Sequence, residues 1–407
     1  MEVRILSKLE QLINELCPDG VEYKKIKAAF QRLKGTPITA GKMKEISSDD
    51  GDVRVFAGGK TVINAKENDI LNANIITVPA VLVQSRGVID VVYFDRPFTF
   101  KNEMWAYTTN EKITVKYLYY VLKNNIQHFR DMASGMGSLP QISLPVTEEF
   151  RIPLPPLPVQ EEIVRILDNF TELTAELTAE LTVRKQQYEY YCKQILNQMK
   201  HKTYIPIRKL GKWVGGGTPS MSNDEFWANG EIPWISSKDM KVATLIDTQN
   251  HITKKALKKT SLRLLPPNTV AIVARSGILK HTLPVVFIPF EATVNQDIKA
   301  LISDCSFLPR FSFFVIFAYR NEILNKTKKQ GGTVDSLDMD AFYNYEVPIS
   351  SIKEEQERVI AILDRFDKLC NDISEGLPAE IKARQQQYEY YRDKLLTFKE
   401  KEVCVNE

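Results

Sequence analysis

The chain contains 407 residues, with 43% hydrophobic and 26% charged side chains and a formal net charge of +3. This length predicts two or more domains, and the composition is that of a globular protein rather than a disordered or fibrous one. Because no apolar run is long enough to span a membrane and the N-terminus lacks a secretory leader, we expect a cytoplasmic protein without a membrane partner.

The five cysteines are scattered and include no Cys-x-x-Cys pair, which argues against a disulfide framework. The four histidines lie away from the cysteines, so we expect no metal site. The small positive net charge permits binding to nucleic acid without requiring it.

The first half of the chain is predicted to form an N-terminal helix followed by a mixed α+β domain. Apolar residues recur at helical spacing over residues 2–16, and Cys17-Pro18-Asp19-Gly20 ends this helix. Beyond it, short apolar runs alternate with turn residues up to about residue 149. The strands that these runs predict are 53–56, 75–78, 81–83 and 91–94, and the helix predicted after them covers residues 117–129.

A long amphipathic helix is predicted from residue 159 to residue 200. Pro153, Pro155, Pro156 and Pro158 precede it, and apolar residues then recur every three or four positions, as in a coiled coil. The acidic residues Glu161 and Glu162 suit the positive end of the helix dipole. A continuous helix of this length would measure about 60 Å.

The second half repeats this plan. Residues 204–345 are again rich in predicted strands, including 270–273 and 283–288, and a helix is predicted near residues 311–324. Another long helix is predicted from about residue 352. We expect Gly376-Leu377-Pro378 to kink or break it, because proline clashes with the preceding helical turn.

Two internal repeats mark the long helices. The hexapeptide Gln-Gln-Tyr-Glu-Tyr-Tyr occurs at 186–191 and at 386–391, which indicates two copies of one unit of about 200 residues. A shorter repeat, Thr-Ala-Glu-Leu, occurs at 174–177 and at 178–181. It either reflects good helix formers alone or sets the length of the helix, since four residues add about 6 Å.

Sequence signatures of catalysis are missing. The chain has no phosphate-binding loop, no dinucleotide-binding glycine motif and no Asn-Pro-Pro-Tyr-like tetrapeptide of an adenine methyltransferase. We therefore expect a protein that is not itself an enzyme.

Polar residues suited to DNA contact fall in loops of both strand-rich domains. Arg suits guanine, Asn and Gln suit adenine, and Ser, Thr, Lys and glycine backbone suit phosphates. Any one of these loops taken alone is more often an ordinary surface loop than a DNA contact, and Trp234 suits a core residue and a base contact equally. The recurrence of the loops in both halves favours DNA contact. The candidates are Lys60, Gln84, Arg86, Lys101 and Asn102 in the first domain, and Gly216, Thr218, Trp234, Ser236, Lys238, Arg275, Ser276, Asn295 and Gln296 in the second.

Four motifs carry a resemblance to a known family. They are Gly-Gly-Thr-Pro-Ser at 216–220, Ile-Pro-Trp-Ile-Ser at 232–236, Val-Asn-Gln-Asp at 294–297 and Gln-Glu-Glu-Ile-Val-Arg-Ile-Leu-Asp at 160–168. The chain resembles the specificity subunit of type I restriction–modification enzymes, in the subgroup with Thr-Ala-Glu-Leu spacer repeats. The first domain has no clear Gly-Gly-Thr-Pro equivalent and offers only Lys34-Gly35-Thr36-Pro37.

The resemblance implies an α+β fold, in which two target-recognition domains are separated by two long antiparallel coiled-coil helices in a pseudo-twofold repeat. Each domain would recognise half of a bipartite, asymmetric DNA sequence. The implied boundaries are an N-terminal helix (1–20), a first recognition domain (21–152), a first helical spacer (153–203), a second recognition domain (204–348) and a second spacer (349–407).

The resemblance also implies partners. Two methyltransferase subunits and two restriction subunits would bind, carrying S-adenosylmethionine, ATP and Mg, with no cofactor on this chain. The expected spacer and partner-binding residues are Thr174, Leu177, Thr178, Leu181, Tyr188, Tyr191, Tyr388 and Tyr391. A competing interpretation is a coiled-coil adaptor with two α+β modules that bind other proteins.

Overall fold

A computed structural model describes residues 2–59, 61–134, 139–329, 334–371 and 376–402. The chain divides into two compact units. The first unit comprises Met1–Ala175 with Ala383–Glu407, and the second comprises Glu176–Lys382. Each unit therefore combines one strand-rich domain with segments of both long helical regions.

The elements follow in chain order. Those that precede the first long helix are α1 (Glu2–Leu16), β1 (Glu22–Lys25), α2 (Ile26–Ala29), β2 (Gln31–Leu33), α3 (Ala40–Ile46), β3 (Val53–Phe56), β4 (Val62–Ala65), β5 (Ala80–Gln84), β6 (Asp90–Phe94), β7 (Phe98–Phe100), β8 (Trp105–Thr108), α4 (Lys112–Asn124), α5 (Ile126–Asp131), α6 (Leu144–Glu148) and β9 (Arg151–Leu154). The long helix and the elements after it are α7 (Leu157–Asn197), β10 (Lys202–Pro206), β11 (Gly211–Gly215), β12 (Ile232–Ile235), β13 (Asn250–Ile252), α8 (Lys254–Lys259), β14 (Thr269–Val273), β15 (Val285–Ile288), β16 (Thr293–Val294), β17 (Ile298–Ser303), α9 (Pro309–Thr327), α10 (Met339–Asn344), β18 (Glu346–Ser350), α11 (Lys353–Asn371) and α12 (Gly376–Leu395).

The two strand-rich domains share one sheet topology. A four-stranded antiparallel sheet runs β2-β8-β5-β6 in the first unit and β11-β17-β14-β15 in the second. A three-stranded sheet runs β4-β3-β7 and β13-β12-β16, with β3 parallel to β7 and β12 parallel to β16. Two-stranded sheets, β1-β9 and β10-β18, complete the match. The chain is therefore an internal repeat in topology, as the doubled hexapeptide predicts.

The core of each domain lies where one helix covers the central strand of the four-stranded sheet. All residues of β5 and of β14 are buried, as expected for strands covered on both faces. Helix α4 packs on β5, and α9 packs on β14 and β15. Helix α9 carries buried side chains around most of its circumference, including Phe311, Phe313 and Phe314, which is typical of a helix enclosed by protein. None of the described helices combines the length and the apolar character that a membrane crossing needs.

An aspartate of the long helical region binds each domain at an equivalent place. In the first unit Asp168 of α7 accepts hydrogen bonds from Lys116 Nζ (2.6 Å) and the Tyr120 hydroxyl (2.5 Å) of α4. Burial, with this hydrogen bond, raises the pKa of Tyr120, so its hydroxyl remains a donor. In the second unit Asp364 of α11 accepts from Arg310 Nε of α9 (2.8 Å). Each aspartate is the last residue of an Ile-Leu-Asp segment, at 166–168 and at 362–364. The two copies of the internal repeat therefore share this contact.

Arg310 is the most connected side chain of this second contact. Its Nη2 donates to Asp367 (2.8 Å) and its Nη1 to the Thr244 hydroxyl (2.9 Å). The guanidinium also lies 4.7 Å from the ring centroids of Phe313 and Phe314. Because this guanidinium is largely buried, removing one of its carboxylate partners should leave a buried charge less well paired and destabilise the second unit.

The helical segments within each unit are antiparallel. In the second unit Tyr191 stacks on Phe366 with ring centroids 5.8 Å apart, while the Lys200 amide donates to Glu355 (2.7 Å). Moving forward along α7 thus corresponds to moving backward along α11. In the first unit Tyr391 stacks on Phe170 at 5.6 Å with the same interplanar angle of 23°. The two hexapeptides therefore place equivalent tyrosines on equivalent phenylalanines.

The structure corrects two sequence predictions. Residues 75–78 do not form a strand: only Ile76 pairs, through two hydrogen bonds with Phe98, and Pro79 cannot donate to continue the ladder. The helix predicted over 117–129 is two helices that meet at Asn125, whose side chain donates to the Val121 carbonyl (2.8 Å). Gly376 and Pro378 lie in the first turn of α12, where proline is tolerated, and residues 372–375 lie outside the described ones.

Replacing Arg310 with alanine should destabilise the second unit, because it leaves the buried Asp367 carboxylate without this cation and opens a cavity beside Phe313. We expect the free energy of unfolding to fall by about 3 kcal/mol, measured by urea unfolding. The matched control is Arg263→Ala, an exposed arginine of the same domain, which should change it by less than about 0.5 kcal/mol. Equal effects of the two substitutions would contradict this role of Arg310.

Candidate nucleic-acid interface

In the first unit, the loops that follow four strands meet at one edge of the domain together with a fifth segment. We call this the first loop cluster: residues 34–37, 57–59, 84–87, 101–103 and 139–142. Because β3 and β7 are parallel, their carboxyl ends lie side by side, and the Lys101 amide donates to the Phe56 carbonyl (3.0 Å). The Gly59 amide donates to the Arg86 carbonyl (3.1 Å). These bonds fix the loops relative to one another.

The second unit builds the same arrangement, which we call the second loop cluster: residues 215–218, 236–239, 274–276, 295–297 and 334–337. The parallel strands β12 and β16 end together, and the Asn295 amide donates to the Ile235 carbonyl (3.0 Å). The Ala274 amide donates to the Asp297 carbonyl (2.7 Å). The structure therefore brings the predicted loops of each domain together, within each unit.

Arg86 and Arg275 occupy equivalent positions. On one side of Arg86, the Ser85 carbonyl accepts from the Ile142 amide (2.9 Å), and on the other the Gly87 amide donates to the Pro140 carbonyl (2.8 Å). Around Arg275, the Ala274 carbonyl accepts from the Leu337 amide (2.9 Å), and the Ser276 amide donates to the Asp335 carbonyl (3.0 Å). Both arginine side chains are exposed.

A glycine in each cluster permits close approach of two backbone segments. The Gly217 amide donates to the Val294 carbonyl (2.9 Å), and a Cβ on Gly216 would lie 1.7 Å from that oxygen. The Thr36 amide donates to the Phe100 carbonyl (2.7 Å), and a Cβ on Gly35 would lie 2.1 Å from it. Lys34-Gly35-Thr36-Pro37 is thus the structural equivalent of the glycine-rich loop at 215–218. This packing explains why glycine is required at position 216, independently of any contact with DNA.

Several predicted contact residues hold the loops through hydrogen bonds. Gln84 is buried and donates through Nε2 to the Gly59 carbonyl (3.1 Å). Asn295 is buried and accepts from the Asp297 amide (3.1 Å). Ser236 donates through Oγ to Asp239 (2.8 Å), and the Ser276 hydroxyl accepts from the Ile278 amide (3.4 Å). These side chains position the loops.

Trp234 is a core residue in the structure. Its side chain is 7% exposed, packs edge-on against Trp227 with centroids 5.1 Å apart, and donates through Nε1 to the Gly217 carbonyl (3.0 Å). A base could not stack on this indole without displacing Trp227. Of the two alternatives that the sequence left open, the structure places Trp234 in the core.

The remaining predicted residues of the clusters are accessible. Asn102, Lys238 and Gln296 are exposed. Thr218 is exposed and donates to Gln296 Oε1 (2.5 Å), which joins two loops of the second cluster. Lys101 forms an ion pair with Glu103 (3.0 Å). Lys60 lies outside the described residues.

The first cluster encloses a cleft of about 460 Å³ lined by Gly58, Gly59, Arg86, Lys101 and Glu103, among others. Its polar lining carries both signs of charge, because the Glu103 carboxylate lies beside the Lys101 ammonium. The cleft is therefore suited to donor and acceptor groups together, as base edges present.

Sequence reasoning missed the basic helix α8. It carries Lys254, Lys255, Lys258 and Lys259, all exposed, and its N-terminus is capped by the Thr253 hydroxyl, which accepts from the Ala256 amide (3.2 Å). Ala256 packs in the same small core as Trp234, so the helix lies beside the second cluster. The sequence signal that could have identified this helix as a basic surface is the run Lys-Lys-Ala-Leu-Lys-Lys at residues 254–259.

The comparison with known proteins agrees with this doubled architecture. Residues 18–183 and 199–383 each match the family described as the type I restriction modification DNA specificity domain. A specificity subunit of a type I restriction enzyme from Escherichia coli is 40% identical over 370 residues, which cover 88% of this chain and 90% of that relative. The chain belongs to the family of type I restriction–modification specificity subunits. It is a DNA-specificity subunit and not a catalytic one.

Further relatives of this specificity subunit support the assignment. A putative type I restriction enzyme specificity subunit of Haemophilus influenzae is 30% identical over 318 residues, covering 74% of this chain and 77% of that protein. The crystal structure of a type I restriction–modification S subunit from M. genitalium covers 92% of this chain and 95% of its own with a TM-score of 0.52. At 15% identity that likeness shows the fold alone. The adaptor interpretation is not favoured.

The spacer residues of this subunit differ in exposure. Within α7, Thr174, Leu177 and Leu181 are half-buried and Thr178 is exposed, and the boundary between the units, at Ala175/Glu176, falls inside the Thr-Ala-Glu-Leu repeat. Tyr188 is buried against Phe317.

Of the described His, Cys, Asp and Glu side chains, no group of three or more is placed to hold a metal ion.

The tyrosines of the hexapeptides divide in the same way in both copies. Tyr191 and Tyr391 stack on phenylalanines, and Tyr388 packs against the core of the first unit. In contrast, Tyr190 and Tyr390 are 60% and 64% exposed. Each of these two tyrosines packs edge-on against the next tyrosine, Tyr191 or Tyr391, and leaves most of its surface exposed.

Alanine at either close-approach glycine should destabilise its unit. Gly35→Ala and Gly216→Ala push a Cβ into a backbone carbonyl, and we expect each to lower stability by about 1–3 kcal/mol, measured as a fall in the thermal unfolding midpoint. Gly41→Ala is the matched control: nothing lies within 4 Å of its Cβ in α3, so stability should stay equal or rise slightly. Tolerance of Gly216→Ala at the level of Gly41→Ala would contradict the packing.

Proposed function

We propose that each loop cluster recognises one half of a bipartite, asymmetric DNA sequence. The observation that carries the proposal is the pair of equivalent clusters, built on one backbone scaffold with different exposed side chains. At one equivalent position the first cluster presents Asn102 and the second Gln296, which follow Lys101 and Asn295 at the ends of β7 and β16. Identical scaffolds with different side chains suit two half-sites of different sequence.

The accessible side chains have the chemistry of DNA contact. Guanidinium groups such as Arg86 suit guanine or phosphate, and the amides of Asn102 and Gln296 suit adenine. Lys238 and the lysines of α8 suit phosphates. Because the net charge is only +3, we infer that partner subunits supply much of the positive surface around the duplex.

We further propose that the long helical segments set the distance between the half-sites. The unit boundary inside the Thr-Ala-Glu-Leu repeat supports this, because a change of helix length there falls between the segment that packs with the first domain and the segment that packs with the second. One repeat corresponds to about 6 Å of helix. This length is close to two base-pair steps at 3.4 Å each.

The partners proposed for this subunit are two methyltransferase subunits and two restriction subunits. S-adenosylmethionine, ATP and Mg would be bound by those partners, and the assembly would act in the cytoplasm. The exposed Tyr190 and Tyr390 support two equivalent contacts with identical methyltransferase subunits, since exposed tyrosines are frequent energetic centres of protein interfaces.

Deleting residues 178–181 should shorten the non-specific spacer of the recognised sequence by one to two base pairs, since about 6 Å of helix is lost. Both half-site sequences should remain. The measurement is mapping of methylated adenines in cells that carry the variant. The double substitution Thr178→Ala with Glu180→Ala keeps the helix length and should leave the spacer unchanged. An unchanged spacer after the deletion would exclude the spacer role.

Exchanging residues 21–149 for the corresponding domain of another specificity subunit should change one half-site and preserve the other. The physical reason is that each loop cluster is built entirely within its own unit. Methylation mapping again provides the measurement, and the reciprocal exchange of residues 204–345 is the control. A change in both half-sites after either exchange would show that the domains do not recognise DNA independently.

A further inference from the structure

An exposed aliphatic residue accompanies each of the two equivalent arginines. Leu139 directly precedes Pro140, whose carbonyl accepts the Gly87 amide, and Leu139 is 52% exposed. Val334 directly precedes Asp335, whose carbonyl accepts the Ser276 amide, and Val334 is 42% exposed. The two aliphatic residues therefore hold the same register relative to Arg86 and Arg275.

The leucine and the arginine of the first cluster border one space. Both line the cleft of about 460 Å³, and Leu139 Cδ2 lies 3.6 Å from the position that a Cβ on Gly87 would take. A single exposed aliphatic residue needs no explanation. Two at equivalent positions beside equivalent arginines, in clusters that differ at other exposed positions such as Asn102 and Gln296, point to a shared task.

The backbone that carries each arginine is held on both sides. Hydrogen bonds at Ser85 and Gly87 flank Arg86, and hydrogen bonds at Ala274 and Ser276 flank Arg275. An arginine whose backbone is held by hydrogen bonds in this way loses less conformational freedom on binding than an arginine on a mobile loop. Its guanidinium can therefore serve bidentate recognition, which depends on geometry as well as charge.

We infer that Arg86 with Leu139, and Arg275 with Val334, form one base-contacting element per half-site. In each element the guanidinium donates to O6 and N7 of a guanine, and the aliphatic side chain contacts the C5 methyl group of a neighbouring thymine. The inference rests on the proposed function and extends it. It places a guanine at the same distance from the spacer in both half-sites, while Asn102 and Gln296 contribute the differences.

The test uses the assembled complex with its methyltransferase subunits and a panel of duplexes carrying every single-base change in both half-sites. Arg86→Ala should lose about tenfold or more of the discrimination at one base pair of one half-site. Arg275→Ala should cause the same loss of discrimination in the other half-site, at the base pair that lies equally far from the spacer. Arg86→Lys should recover binding strength more fully than discrimination, because a flexible ammonium lacks the rigid planar fork that a guanidinium presents to O6 and N7.

The aliphatic partner has its own probe. Replacing the predicted thymine with uracil removes only the C5 methyl group. This replacement should weaken DNA binding by the complex that carries the unsubstituted chain, and it should not change DNA binding by the complex that carries Leu139→Ala. Val334→Ala should behave alike in the other half-site. All four side chains are exposed, and an unchanged thermal unfolding midpoint confirms that each variant folds.

Two results would overturn the inference. One is a uniform loss of affinity across the panel that lysine restores, which identifies a phosphate contact. The other is discrimination within twofold of the unmodified complex for Arg86→Ala or Arg275→Ala. Failure of the proposed function is distinguishable, because the unmodified complex would then show no preference for any bipartite duplex.

Discussion

The contact between each strand-rich domain and an aspartate of the long helical region determines how the rest of each unit is held. Asp168 binds Lys116 and Tyr120, and Asp364 binds Arg310, at positions that the repeat makes equivalent. These carboxylates lie on helical segments whose packing is fixed by Phe170 on Tyr391 and by Phe366 on Tyr191. Each domain is therefore oriented on its helical segments by a charged contact beside an aromatic one.

The loop clusters follow from a second constraint, the parallel pairing of two strands. Because β3 pairs in parallel with β7, and β12 with β16, loops distant in sequence leave one sheet edge together. Gly35 and Gly216 then allow a further loop to approach within hydrogen-bonding distance. The scaffold needs the backbone and a few buried side chains, such as Gln84 and Asn295, and leaves other loop side chains free to vary.

Much of this was predictable where the signal is local and periodic. The long helix, the doubled hexapeptide, the strands at 53–56 and 270–273 and the family followed from the sequence. The pairing of β3 with β7 did not, because the two strands are about 40 residues apart and no local pattern encodes their parallel register. For the same reason the equivalence of Gly35 with Gly216 was missed, since it depends on the carbonyl that each glycine meets.

Residue roles at the clusters were the least predictable. From the sequence, Trp234 suits a core position and a base contact equally. Its hydrogen bond to Gly217 and its packing on Trp227 in the structure assign it to the core. Leu139 and Val334 are single aliphatic residues in loops, with no periodicity to mark them. The exposed Tyr190 differs from the buried Tyr188 only in the face of the helix on which it lies.

The central claim is that this chain alone determines which bipartite DNA sequence its complex recognises. The most direct measurement is genome-wide mapping of methylated adenines in the host strain with and without this gene. We predict that one motif, two unlike half-sites separated by a spacer of fixed length, loses its methylation when the gene is removed and regains it on complementation. A methylation pattern that is identical in both strains, while the methyltransferase subunit is expressed, would contradict the account.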